Sequence, residues 1–235
     1  MTLYTVDGLV EALEWANDGV AADETACLWL AYLRWLASQG VALPASAPVP
    51  QPRWIDGQEV LRHRRHPGKA CLSGLATGEM GTKFRPVNPE SKGCGTVMRS
   101  APFGLVPHIS EAAVYKLSTD AACLTHGHPS ARQSAGAFSV LVHKVTAGSD
   151  VRTAAEHALS VVSALPDPAP SSWGASGRRW NCLPPARCSA RKNSPRNWAR
   201  AGSRRRHSPS GSMRCWRPRG QRRRGVIRPP ISARP

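Results

Sequence analysis

The stretch Ser91–Pro102, SKGCGTVMRSAP, sets two glycines around one small residue and follows them at once with an arginine. Gly93 and Gly95 have no Cβ, so the backbone here can take φ > 0 and come close to a ligand. Successive N–H groups in such a bend, ahead of a helical start, form a pocket for an anion. Arg99, about one turn further on, can add positive charge. The same spacing serves a tight turn between helices, and spacing alone does not separate the two.

A second cluster is Leu124–Pro129, LTHGHP. His126 and His128 cannot share a helical face, but at the mouth of a helix both can point at one ligand. A metal there needs further carboxylate or histidine partners, and none stands at a recognisable spacing. A solvent-exposed histidine pair is the alternative. Cys182, Cys188, His207 and Cys215 match no common zinc pattern. No Ser/His/Asp or Cys/His nucleophile set stands out, and neither Cys94 nor Cys123 carries a catalytic signature.

The elements that must position these residues read as helices. Leu3, Val6, Leu9, Val10 and Leu13 fall on one helical face, with Glu11 and Glu14 opposite. Asp23 caps a second helix that ends near Gly40, apolar on nearly every side and so buried on several faces. VALPASAPVPQP, residues 41–52, is a Pro/Ala loop; a short helical piece, KACLSGLA, follows Pro67-Gly68. Residues 77–92 read as a surface loop. Thr96–Leu105 reads as a helix interrupted at Pro102, and another opens at Ser110. Pro129 suits a first turn, and Ala131, Ala135, Phe138, Val142 and Val145 continue one stripe toward Gly148. Asp150 and Thr153 cap the last helix, TAAEHALSVVSAL. Nothing in the first 170 residues alternates as a strand, so the body is all-α.

The net charge of +17 on 235 residues first suggests a nucleic-acid binder. Counted along the chain, residues 1–170 hold 14 Lys and Arg against 15 Asp and Glu, and residues 171–235 hold 18 and no acid. The body, 1–168, is therefore near neutral, and 169–235 is a basic Arg/Pro-rich tail read as disordered. Its tryptophans and cysteines are unusual for a selected disordered segment, and its composition is that of a G+C-rich gene read out of frame. The seven scattered cysteines form no C-x-x-C pair, which suits reduced, cytoplasmic thiols. No apolar run is long enough to cross a membrane.

NPESKGCGTVMRSAPFGL, followed some twenty residues later by LTHGHPSARQSAGAFSVLVHKVTAG, resembles the ADP-ribosylglycohydrolase family, relatives of dinitrogenase-reductase-activating glycohydrolase. TLYTVDGLVEAL, TACLWLAYLRWLASQG and RHPGKACLSGL resemble its earlier segments, so the likeness covers roughly residues 1–165. It implies an all-α bundle with a binuclear Mg²⁺ centre that hydrolyses the glycosidic bond between ADP-ribose and a protein side chain. It further implies that Gly93, Cys94, Gly95 and Thr96 embrace the ribose and diphosphate, that Met98 and Arg99 fix this loop, and that His126 faces the same cleft. ADP-ribose or an ADP-ribosylated protein is the implied partner.

Two departures stand out. The family carries Thr-Asp-Asp-Thr directly before the helix that begins here at Met1, and Asp-x-Asp-Ser/Thr late in the chain. Both supply metal ligands, and neither is present; Asp7, inside the helix, is not a replacement. Mg²⁺ requires oxygen donors, mostly carboxylates. No metal-ligating residue is therefore assigned, and the expectation is a truncated, incomplete bundle that exposes core surface and has no hydrolase activity. A non-catalytic module for ADP-ribose or phosphate is one alternative. Nonspecific nucleic-acid binding through the tail, with steep salt dependence, is another. If the tail is a frameshift product, translating the source DNA in its other frames past codon 165 reveals Asp-x-Asp-Ser/Thr; finding it in no frame rejects the frameshift.

Overall fold

The computed structural model describes residues 1–169, which lie within one unit, Met1–Arg179. Helix α1, Thr2–Asn17, packs on α2, Glu24–Ser38, whose first turn is held by the Asp23 carboxylate accepting from the amides of Thr25 and Ala26. A short α3, Lys69–Leu75, follows. Then come α4, Glu111–Cys123, capped by Ser110, and α5, Pro129–Thr146, with Pro129 in its first turn. Last is α6, Val151–Ser163, capped by Asp150. Helices α4 and α5 pack on each other, α6 on α5, and α2 meets both α3 and α4. Among the described residues there is no strand, so the fold is all-α. The basic tail expected at 169–235, with the four rejected zinc candidates, lies outside the described residues apart from Ala169.

Helix α2 is the centre of this body. Leu28, Tyr32, Leu33 and Leu36 are fully buried, as expected for a helix apolar on most sides. Burying each such side chain stabilises by about 1.5–3 kcal/mol before entropy is counted. Helix α1 forms where expected but turns a different face inward. Of the stripe Leu3, Val6, Leu9, Val10 and Leu13, only Leu9 is buried; Leu3 is 55% exposed. The buried face is Tyr4, Thr5, Gly8, Leu9 and Ala12. Two physical facts outweigh the aliphatic stripe. A Cβ on Gly8 would come within 3.0 Å of Leu28 Cα, so this glycine lets α1 approach α2 closely. Arg34 of α2, its side chain only 5% exposed, also draws Asp7 and Glu11 inward, and Asp56 joins them from the 3-10 turn Trp54–Gly57.

Helix α5 is rotated in the same way. Phe138 and Val142 are half-buried, while Gly136 and Ser139 face the core. Gly136 lies against the Tyr115 ring, and Ser139 Oγ is 2.9 Å from the Ser100 carbonyl and 2.8 Å from Ser118 Oγ. The expected helix Thr96–Leu105 is instead two 3-10 turns, Val97–Arg99 and Ala101–Leu105. Pro102 has no N–H to donate, and short i→i+3 bonds such as Ser100 N to Val97 O (3.2 Å) let the chain pass it.

Arg34→Met would leave the carboxylates of Asp7, Glu11 and Asp56 without their shared cation. The expected loss is about 3–5 kcal/mol, read as a lower urea midpoint at unchanged m-value. A change below about 1 kcal/mol would mean that this network does not hold α1 to α2.

Candidate functional site

The bend Gly93–Thr96 is fixed from behind. Thr96 Oγ1 donates to the Ala131 carbonyl of α5 at 3.1 Å, and Ser100 is held by Ser139 two helical turns further along. The facing segment, Thr125–Gly127, continues the C-terminal end of α4; His126 N donates to Ala122 O at 2.8 Å. Asn88, in left-handed backbone at φ +48, ties that segment to α3. Its Nδ2 donates to Ala70 O (2.9 Å) and Thr125 O (3.0 Å), while its carbonyl accepts from Gly127 N at 3.0 Å.

His126 lies directly beneath the bend. A Cβ on Gly93 would meet its Nε2 at 3.1 Å, and one on Gly95 would meet its Cε1 at 3.1 Å and its Nε2 at 3.2 Å. Neither glycine has positive φ. The expected reason for these glycines, a left-handed backbone, is therefore replaced by another: hydrogen atoms in place of side chains let the imidazole edge fit between them. Among the described residues none of the four amides Gly93–Thr96 donates a hydrogen bond. Four consecutive donors of the bend thus have no hydrogen-bond partner among the described residues.

Arg99 is not at the surface of this cleft. It is 2% exposed and lies behind His126. Its Nη2 donates to Thr125 Oγ1 (2.7 Å) and to Ala121 O (3.0 Å), and its Nη1 meets Met1 Sδ (3.2 Å) and Cys71 Sγ (3.8 Å). The guanidinium stacks 4.6 Å from the centre of the Tyr32 ring. None of these partners is a carboxylate, so a full positive charge is buried with only dipoles and a ring to stabilise it. Met98 is 73% exposed and Cys94 is exposed, so these two stand at the outer edge of the bend. His128 is drawn away: its Nδ1 caps α5, accepting from Ser130 N at 3.1 Å. The two histidines of the loop therefore do not converge.

Burial and, after it, the charge of Arg99 push His126 down from the ordinary 6.5 to about 4. The imidazole is neutral at physiological pH. Sequence reasoning missed Thr125, Asn88, Tyr32 and Cys71. The Asn-Pro dipeptide at 88–89 was the one signal available, since asparagine is favoured at left-handed turns.

Across the chain, the pattern of the ADP-ribosylglycohydrolase family matches residues 1–213. The chain belongs to the ADP-ribosylglycohydrolase family. The matched span runs past residue 165, where the motif-level likeness ends. No curated protein and no solved structure matches the chain. This family of metal-dependent hydrolases acts on ADP-ribosylated substrates. Among the described residues no group of three or more His, Cys, Asp or Glu is placed to hold a metal ion. Six of the carboxylates are held in ion pairs: Asp7, Glu11 and Asp56 with Arg34, Glu14 with Arg53, Glu111 with Lys144 and His157, and Asp120 with Lys116. Beside His126 stand a guanidinium and sulfur atoms. These residues do not fit a pair of hard divalent cations. A groove of about 540 Å³ is lined by Tyr4, Arg34, Leu43, Pro50, Pro52 and Arg64 among others, and by none of the bend residues. Among the described residues no helix is long and apolar enough to cross a membrane.

His126 takes up a proton more readily in the unfolded chain than in the folded one. Its contribution to stability is therefore constant above about pH 6.5 and is lost as pH falls from 6.5 toward 4. Urea midpoints of the wild type should drop across that window relative to those of His126→Gln. Parallel curves for the two proteins would contradict a neutral, buried imidazole.

Proposed function

We propose that residues 1–235 hold ADP-ribose, free or attached to a protein, on the Gly93–Thr96 bend and do not cleave its glycosidic bond. The observation that carries this reading is the four unpartnered amides of a bend whose two glycines adjoin the Nε2 edge of His126. Amides so placed favour the negative oxygens of a diphosphate. Arg99, buried without a carboxylate, adds long-range attraction for the same charge, because a low-dielectric surrounding screens it little. Cys94 and Met98, at the outer edge, would border the ligand.

Absence of cleavage rests on the chemistry of the donors. Family members rely on metal ions to activate water and polarise the ribose, a contribution of several kcal/mol to the barrier. The residues beside His126 present a cation and sulfur where such ions need carboxylate oxygen. The beginning of α1 lies against the bend, with Thr2 Oγ1 3.3 Å from Met98 O and Met1 Sδ beside Arg99. A cytoplasmic setting is supported by the free thiols of Cys27, Cys71, Cys94 and Cys123.

Calorimetric titration with ADP-ribose tests the reading. Binding is expected to be equal with and without Mg²⁺, to be abolished by Gly95→Val, and to be accompanied by no release of ADP-ribose from an ADP-ribosylated arginine peptide. Loss of binding in the wild type, or Mg²⁺-stimulated release, would overturn it. The glycine variant separates capture by the bend from capture by the arginines of residues 169–235.

A further inference from the structure

The relay Arg99–Thr125–His126 fixes more than position. Thr125 is fully buried, and its hydroxyl oxygen has two polar neighbours: Arg99 Nη2 at 2.7 Å and His126 Nδ1 at 2.8 Å. A guanidinium has no lone pair to offer, so it can only donate. Thr125 Oγ1 therefore accepts from Arg99, and its own proton must go to a different atom. Among the described residues the one acceptor within reach is His126 Nδ1. If Nδ1 carried the imidazole proton instead, two N–H groups would converge on one oxygen and the buried hydroxyl proton would be left without a partner. An unmet buried donor costs about 1–3 kcal/mol.

We infer that Thr125 is a positioning residue: driven by the hydrogen bond from Arg99, it locks His126 as the Nε2–H tautomer, so that the imidazole presents one donor through the gap between Gly93 and Gly95 to an oxygen of the ligand. His126 Nε2 makes no hydrogen bond among the described residues, although the side chain is 3% exposed and the bend closes over it. An N–H aimed into a cleft of free amides adds a fifth donor to the same face. An Nε2–H donor beside those amides favours oxygen acceptors such as phosphate, carboxylate or sugar hydroxyl lone pairs. The chain of donation starts from a permanently charged group, so each bond in it is polarised in one direction.

The assignment of the tautomer stands on the protein alone; its consequence for affinity rests on the ADP-ribose reading above. Long-range ¹H–¹⁵N correlation spectra of the ¹⁵N-histidine-labelled full chain at pH 7.5 read the tautomer directly, with His126 assigned through its backbone. The wild type is expected to show a single Nε2–H form. Thr125→Ser should keep it, and Thr125→Val, of equal size but without the hydroxyl, should give a mixture of tautomers while amide spectra report the same fold. ADP-ribose affinity should fall about five- to tenfold in the valine variant and stay within twofold of wild type in the serine variant. A wild-type His126 found as the Nδ1–H form, or as an imidazolium, overturns the inference without any variant. So does an unchanged tautomer in a folded Thr125→Val. The expected tautomer pattern with no ADP-ribose binding in any form would uphold this inference and reject the ADP-ribose reading.

Discussion

A guanidinium buried without a carboxylate is the constraint on which the site depends. Arg99 stands 2% exposed, held by a threonine hydroxyl, one backbone carbonyl and the face of Tyr32. Removing such a charge from water costs several kcal/mol, and neutral partners return only part of it. Everything near Arg99 is arranged around that debt of negative charge. Thr125 orients toward it, His126 stays neutral beside it, and the free amides of Gly93–Thr96 lie beyond the imidazole. Such a grouping of donors around a buried cation is the basis of the anion-binding role proposed above.

The contrast with Arg34 shows that this is local design rather than a property of buried arginines in the fold. Arg34 is equally enclosed, yet Asp7, Glu11 and Asp56 converge on it from two other elements. That arginine joins α1, α2 and the Trp54–Gly57 turn, and its charge is spent on the architecture. The carboxylates of Asp7, Glu11 and Asp56 are thereby placed on the Arg34 network, where they hold α1 and the turn to α2. Membership of a metal-dependent family and a bend beside a buried guanidinium are thus found in one polypeptide.

Much of this was legible in the sequence. Helix existence followed from caps and periodicity, since Asp23, Ser110, Pro129 and Asp150 each stand where a helix begins. The pairing of GCGTVMR with LTHGHP picked out two segments that the structure brings into contact. What the sequence could not provide was the inward face of α1, because an aliphatic stripe at helical spacing looks like a core face and the competing pull of Arg34 comes from a residue 27 positions away from Asp7. Nor could it supply the reason for the two glycines. Their spacing suggests unusual backbone angles, and only the position of the His126 ring shows that the missing side chains, not the angles, are what matters. The division between His126 and His128 was also hidden, since it depends on which ring caps α5.

A crystal structure of the full chain grown with ADP-ribose tests the central claim most directly. The account predicts the diphosphate oxygens on the amides of Gly93–Thr96, with His126 Nε2 at about 2.7–3.2 Å from a ligand oxygen and Arg99 unmoved behind it. Diphosphate density in the groove between Tyr4, Pro50 and Arg64, with the bend empty, would contradict it.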